Sequence, residues 1–273
     1  MKNLQTNDGV SVLIPTYMVS NIQMNDTLDL LYTLSLNKLN NLSAIIIADD
    51  NGDKIIWESF LNKLKHFNNV FKNKLLVKRY ENNLGFSGNV NRLINSVNSN
   101  ISVLINNDTL VLSDFINRIY NITKKNDDNY LIGCILFQDG FEKKHVKKHQ
   151  IISENIRFDW LNPEGITALV GNGMFGYTKN FSHKFCTDFK IGMFEDDEFC
   201  IRHIKNGGQI KVIKDIIIYH KVSRTFRSIM DSKEMFDLFH ENKEIFTVIT
   251  GLEFRDDGKY NIPDITGEIN NEK

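Results

Sequence analysis

The feature that most constrains this chain is a repeated one: an apolar run that stops in a cluster of polar residues. VSVLIPTY (10–17), SAIIIADD (43–50), KLLVKRY (74–80) and ISVLINND (101–108) each read as a strand. They end, in turn, at Thr16-Tyr17, Asp49-Asp50-Asn51, Glu81-Asn82-Asn83 and Asn106-Asn107-Asp108. The body of SAIIIADD is continuously apolar, as a strand covered on both faces requires. Helical patterns lie between the runs: over 25–39 with Asn25 or Asp26 as N-cap, over about 54–67, and from a Ser87 cap to about residue 98. Strands alternating with helices predict βαβ units and a largely parallel sheet. All carboxyl ends of such a sheet point one way, so the four clusters share the rim where open α/β sheets bind ligands. One polar strand end is a turn. Four that converge make a site.

The second half is patterned differently. Short strand candidates at 131–137, 166–170, 173–177, 209–213 and 215–220 are separated by irregular stretches, and one helix follows FEDDEF. That is a mixed sheet rather than further βαβ units. From about 231 to 249, Met235, Phe236, Leu238, Phe239, Ile245 and Phe246 take amphipathic helical spacing, and a polar tail follows.

Several classes are excluded early. A net charge of −1 gives no electrostatic case for nucleic acid or an anionic membrane surface. The opening MKNLQTNDGV lacks the apolar stretch of a signal peptide, and no segment approaches the roughly 18 apolar residues of a membrane span. Cys134, Cys186 and Cys200 show no CxxC spacing, so neither a disulfide framework nor a zinc knuckle is indicated, and a reducing cytoplasm is expected. There is no GxGxxG after the first strand and no P-loop. His145 and His149 stand at i, i+4 among lysines with no third ligand nearby. Phe137, Phe141, Trp160 and Phe175 are candidate platforms for a sugar ring, although aromatic residues more often fill a core.

The rim offers acids and amides instead of a glycine loop. Asp108 on a strand end is a hard-oxygen ligand suited to Mg²⁺ or Mn²⁺, ions commonly held by one or two carboxylates together with substrate phosphates. Further on, GMFEDDEFCIRHIKNGG (192–208) places four consecutive acids at the start of a helix. Acids there complement the helix dipole. Four in a row also repel one another, and a carboxylate among like charges has the raised pKa that suits a general base.

Taken in order, VLIPTY, IIIADDNGD, NNLGFSGNVNRLI, LINNDTLV, GNGMFGY and FEDDEFCIRHIKNGGQIKVIKDIIIYH resemble the successive motifs of family 2 glycosyltransferases of the GT-A fold. The third segment is closest to rhamnosyltransferase-like members. The resemblance implies that Pro15, Thr16 and Tyr17 line a nucleotide pocket, with Asp49 accepting from the base and Asp50 near the ribose. It implies that Asn83, Gly85 and Asn91 close over the nucleotide, that Asn107 also binds the nucleotide-sugar, and that Asp108 and His220 sit beside the diphosphate. Asp108 and His220 would hold Mn²⁺ or Mg²⁺. Asp196 would be the catalytic base, with Glu195 beside it on the acceptor side, and Arg224 a phosphate or acceptor contact. Three departures stand out: Asn106 in place of the first Asp of a DxD, Gly52 in place of a usual Ser, and Met193-Phe194 where many relatives have Tyr-Gly.

The expected architecture is therefore α/β: a Rossmann-like, mostly parallel sheet flanked by helices, with a mixed acceptor-side half. A catalytic domain over 1–228 would have its nucleotide-sugar half at about 10–112 and its acceptor half at 113–228, before a C-terminal helix and tail over 229–273. The implied activity is inverting transfer from a UDP- or dTDP-linked sugar to a hydroxyl of a glycan, lipid-linked or protein acceptor, in the cytoplasm or at the membrane periphery. Two other readings stand beside it. One is a catalytically silent GT-A-like binding module. The other, disfavoured because no Gly-rich, Arg-containing loop follows the first strand, is a sugar-1-phosphate nucleotidyltransferase.

Overall fold

The computed structural model describes residues 7–112, 114–138, 171–221, 224–254 and 260–261. Its sheet is built first from the four runs that end in polar clusters: β1 (Asn7–Thr16), β2 (Leu42–Asp49), β3 (Leu75–Arg79) and β4 (Ser99–Leu104). β5 (Thr109–Val111), β6 (Tyr130–Gln138), β7 (Met174–Tyr177) and β8 (Gln209–His220) complete it in the order β3-β2-β1-β4-β7-β6-β8-β5. β3, β2, β1 and β4 run parallel, whereas β7 pairs antiparallel with both β4 and β6. β8 is parallel to β6 and antiparallel to β5. The sheet is parallel through β3-β2-β1-β4 and mixed beyond them, as expected.

Side chains alternate across a strand, and the core divides accordingly. Val12 and Ile14 of β1 and Ile45 and Ile47 of β2 join the cluster beneath α1 (Asn21–Ser35), α2 (Lys54–Val70) and α4 (Phe115–Lys125). Leu13 and Ile46 point the other way, under α3 (Gly85–Asn95), α5 (Glu195–Lys205) and α7 (Ser232–Thr250). Both faces are covered, which is why β1 and β2 are apolar without interruption.

Some boundaries differ from expectation. α1 starts ahead of Asn25 because Ser20 is the N-cap, its hydroxyl accepting from Ile22 N–H at 3.1 Å with Gln23 three residues on. Asp26 lies within the helix and pairs with Lys221 at 2.6 Å. Ser87 is not a cap but a buried residue inside α3, which begins at Gly85. The runs 209–213 and 215–220 form one strand, with a register shift opposite Cys134 and Ile135 that lets it continue past an irregularity. A short helix, α6 (Arg224–Ile229), follows β8 and was not foreseen. The C-terminal helix is as expected, opened by a capping box between Asp231 and Glu234. The run 166–170 and residues Phe141, His145, His149 and Trp160 lie outside the described residues. Phe175 is no sugar platform: it is fully buried in the core under β7. No described helix is long and apolar enough to cross a membrane.

Candidate active site

A cavity of about 330 Å³ opens at the carboxyl ends of β1 and β4, within the size range of small-molecule sites. Pro15, Thr16 and Tyr17 from the end of β1, Asp50 from the end of β2, and Asn83 and Gly85 from the loop before α3 line one side. Asn106, Asn107 and Asp108 from the β4–β5 turn and His220 from the end of β8 line another. The expected residues that reach the cavity are thus Pro15, Thr16, Tyr17, Asp50, Asn83, Gly85, Asn107, Asp108 and His220.

Asp49 does not reach it. Its side chain is fully buried, and its carboxylate accepts the amide N–H groups of Met18 and Gly52, each at 2.8 Å, with Arg79 Nε 3.5 Å away. Burial pushes its carboxyl above the usual range, and the two amides and Arg79 pull the other way. Asp49 is a brace between the loops after β1 and β2. Gly52 belongs to the same brace: a Cβ there would lie 2.5–2.7 Å from the Met18 backbone, so the Ser usual at this place in relatives could not fit.

Asp50 faces the cavity and is also tied down. It accepts Leu84 N–H at 2.9 Å and pairs with Arg92 at 2.7 Å, and Arg92 stacks 4.1 Å over the Tyr80 ring. Burial still holds its carboxyl above the usual range. Asn91 is the second correction. Its amide donates to Phe185 C=O at 2.8 Å and accepts Phe185 N–H at 2.7 Å, away from the cavity. At about 100° per residue, Asn91 points away from the face of α3 that carries Asn89. Asn89 lines the cavity and ties α3 to the ends of β1 and β2 through Thr16 C=O (3.2 Å) and Ala48 C=O (2.8 Å).

The turn bearing Asp108 is held from both sides. Asn107 donates to Gln23 C=O and Thr27 Oγ1 on α1, at 3.3 and 3.2 Å. Asn172, from the GNGMFGY segment, accepts Asn106 N–H at 2.9 Å and donates to Thr109 Oγ1 at 2.7 Å. In the sequence GNGMFGY reads as a family-like motif running into a strand at 173–177, and nothing local flags its Asn as a support for Asp108.

Asp108 Oδ1 lies 3.0 Å from His220 Nε2, because β5 and β8 pair Thr109 with His220. A carboxylate and an imidazole converging on one cavity wall suit Mn²⁺ or Mg²⁺, with phosphate oxygens completing the shell. Among the described residues no group of three or more His, Cys, Asp and Glu side chains gathers to hold a metal, so the protein would supply two donors. Among the described residues, His220 Nδ1 is buried without a partner. Nε2 cannot ligate a metal while donating to Asp108, so ligation would move the ring proton to that unpartnered nitrogen, which makes His220 the weaker ligand. Among the described residues lining the cavity there is no Lys or Arg.

The far wall is apolar: Phe86 from α3, Ile191, and Phe226 and Ile229 from α6, none foreseen as site residues. Ile191 is 46% exposed at the mouth. Behind it, α5 begins with the four acids. Glu198 is structural, paired with Arg202 Nε at 2.6 Å, while Arg202 also donates to His183 and Lys184 carbonyls at 2.9 and 2.7 Å. Glu195 is buried, its Oε2 without a partner among the described residues, and burial together with the Asp196 and Asp197 charges pushes its carboxyl well up. Asp196 is half-buried, its Oδ1 accepting Asp197 N–H at 3.0 Å. Neither Glu195 nor Asp196 lines the cavity. Glu195 adjoins it through Gly192, where a Cβ would come within 2.9 Å of the Phe226 ring and 3.5 Å of Glu195 Oε1, and Asp196 follows it in the first turn of α5.

A three-layer α/β sheet with a ligand cavity at its parallel edge and an acid-headed helix beyond a mixed half is the GT-A glycosyltransferase fold. The family model for glycosyl transferase family 2 matches residues 11–189, more than half of the chain, and the chain belongs to that family. Among solved structures, TarS of S. aureus superposes with a TM-score of 0.61 at 16% identity, over 88% of this chain and 39% of TarS. TarS 1–349 in complex with UDP-GlcNAc gives a TM-score of 0.61 at 15% identity, over 88% of this chain and 66% of that one. GalNAc-T7 with UDP, GalNAc and Mn²⁺ gives 0.57 at 12% identity, over 81% of this chain and 44% of that one. At these identities the likeness concerns the fold, and this chain spans well under half of full TarS. No curated protein matches the sequence.

Proposed function

We propose that this protein is an inverting glycosyltransferase that moves a sugar from a UDP- or dTDP-linked donor to an acceptor hydroxyl. The observation that carries the reading is the Asp108–His220 pair in a cavity at the strand ends whose described lining has two carboxylates and no cationic side chain. A diphosphate there needs a counter-charge from elsewhere. Asp108 and His220 would hold Mn²⁺ or Mg²⁺, which when bound would offset the charge growing on the diphosphate as its bond breaks. Support also comes from TarS, crystallised with UDP-GlcNAc, and GalNAc-T7, crystallised with UDP and Mn²⁺.

The chain's own residues carry the rest. Tyr17 and Asp50 border the nucleotide end, and Gly85, at φ +71°, lets the backbone approach without a side chain between. Asp196, more open than its buried neighbour Glu195, takes the proton of the acceptor hydroxyl as that oxygen attacks the anomeric carbon. The bond from that carbon to the diphosphate breaks, and the nucleoside diphosphate leaves with inversion. Glu195, its carboxyl pushed up by burial and by the neighbouring acids, holds its proton more tightly than an exposed carboxyl would.

A melting-temperature screen of UDP- and dTDP-linked sugars, with and without Mn²⁺, tests the reading. A donor at 100 Kd adds about 2.7 kcal/mol of stability, and the shift should need the metal. A chain that no nucleotide sugar stabilises would end this proposal. One that binds a donor and never releases its nucleoside diphosphate would be the silent binding module instead.

A further inference from the structure

Asn242, midway along α7, is fully buried, and its carboxamide is spent on a distant loop. Its Oδ1 accepts Lys190 N–H at 3.1 Å. Its Nδ2 donates to Lys190 C=O at 3.0 Å and Gly192 C=O at 2.6 Å, with Met193 C=O at 3.5 Å. This loop cannot hold its shape alone. Ile191, Met193 and Phe194 have φ of +60°, +83° and +69°, a region that side-chain-bearing residues rarely adopt and a β-branched one least of all. Gly192 N–H bonds back to Lys190 C=O at 2.6 Å, closing a tight turn around Ile191. Such backbone persists only where the surroundings over-determine it. α7 supplies much of that constraint, since Phe194 also packs against Phe239 and Phe246 with centroids 5.1 and 5.5 Å away.

Both ends of the loop reach the candidate active site. Ile191 lines the cavity, and its C=O accepts Phe86 N–H at 2.9 Å, joining the loop to α3 within the apolar wall. Phe194 leads directly into Glu195 and Asp196. One carboxamide therefore governs the cavity wall and the start of the acid-bearing helix together. It lies outside residues 11–189 that match the family model, so the family likeness does not supply it.

We infer that Asn242 is a positioning residue for glycosyl transfer: from the C-terminal helix it holds the 190–194 turn, and so sets Asp196 against the donor cavity. The inference rests on the glycosyltransferase reading above. It makes α7 part of the catalytic machinery rather than an appendage to it.

The test uses the full chain carrying Asn242→Ala, with Asn242→Ser in reserve should the alanine variant not fold. Thr250→Ala is the control: Thr250 sits on the same helix, buried, and among the described residues its hydroxyl bonds the helix end alone, through Phe246 C=O and Leu252 N–H, while its backbone C=O, which accepts Lys205 Nζ at 2.8 Å, is kept by alanine. Donor hydrolysis is followed with UDP-GlcNAc and dTDP-rhamnose, and amide hydrogen exchange at Phe86 is followed alongside, all below the melting transitions. Loss of the Asn242 amide should lower kcat by about 10–100-fold with a smaller change in donor KM, because a displacement of order 1 Å is costly to a reacting geometry. Phe86 exchange should quicken. Thr250→Ala should leave both unchanged, and adding Met193→Gly to Asn242→Ala should restore part of kcat, since glycine takes positive φ without steric cost. A folded Asn242 variant with wild-type kcat and wild-type Phe86 exchange would overturn the inference, as would equal loss in Thr250→Ala. A wild-type protein that turns over neither donor refutes the functional reading instead, and Phe86 exchange then decides the clamp by itself.

Discussion

Asp49 and Glu195 are both buried carboxylates at the carboxyl-end side of the sheet, and the fold treats them in opposite ways. Asp49 receives two backbone amides at 2.8 Å and faces Arg79. Glu195 keeps an oxygen with no partner among the described residues and sits beside two further acids. Burial raises both carboxyls. Hydrogen bonds and a cation counter the rise at Asp49, and the neighbouring acids add to it at Glu195. The backbone follows the same division. At the Asp49 end, loops are stitched to strand ends with ordinary geometry apart from Asn51, whereas the approach to Glu195 runs through three non-glycine residues at positive φ. Such residues cost of order 1–3 kcal/mol each and collect where function demands them. At Asp49 the polar strand end serves architecture. The acid side is held away from its own optimum, which is where reactivity is expected.

That contrast can be broken first at Asp196. Asp196→Asn keeps the size of the side chain and cannot accept a proton, so turnover should fall by ~10²–10⁴ while donor affinity stays near wild type. Active Asp196→Asn with dead Glu195→Gln or Asp197→Asn would move the base along the FEDDEF run. The second effect lies on the other side. Asp49→Ala orphans two buried amides and should cost about 2–5 kcal/mol of stability, read as a lower denaturant midpoint at unchanged m-value. A folded variant of wild-type stability that bound donor weakly would make Asp49 a ligand contact after all.

The smallest effect is electrostatic. A raised folded-state pKa means that the folded chain holds the Glu195 proton more tightly. That contribution is full below the unfolded value and is lost as pH rises through the folded one. Glu195→Gln, which never ionises, should therefore melt at a higher temperature than wild type at about pH 8, with the gap closing by about pH 4. A gap that widens toward acid would contradict the upward shift of the Glu195 carboxyl.

The halves were not equally legible in the sequence. Strand ends were, because an apolar run that breaks into Asn and Asp marks both the end of burial and the start of the rim. Asn107 and Asp108 fell out of that pattern directly. What a strand end does with its acids was not readable: Asp49 and Asp50 are adjacent, yet one faces Met18 and Gly52 and the other faces the cavity, and only long-range partners decide which. Asn91 was misplaced for a related reason, since a linear motif records spacing and not which side of α3 meets the cavity. Asn172 and Asn242 carry no local signal, being recognisable only by the loops they support. The apolar wall of Ile191 and Phe226 was hidden because its α6 part rests on a six-residue helix too short to show periodicity.

The central claim is that the cavity between Tyr17 and Asp108 receives a nucleoside diphosphate on a metal held by Asp108. Calorimetric titration of UDP and dTDP in Mn²⁺, repeated in EDTA and with Asp108→Ala and His220→Ala, tests it most directly. One-site binding in Mn²⁺ is expected for the wild type, weakened at least tenfold by EDTA and by Asp108→Ala, and weakened less by His220→Ala because a neutral imidazole brings no charge. Binding of equal strength in EDTA, or an Asp108→Ala variant as tight as wild type, would contradict it.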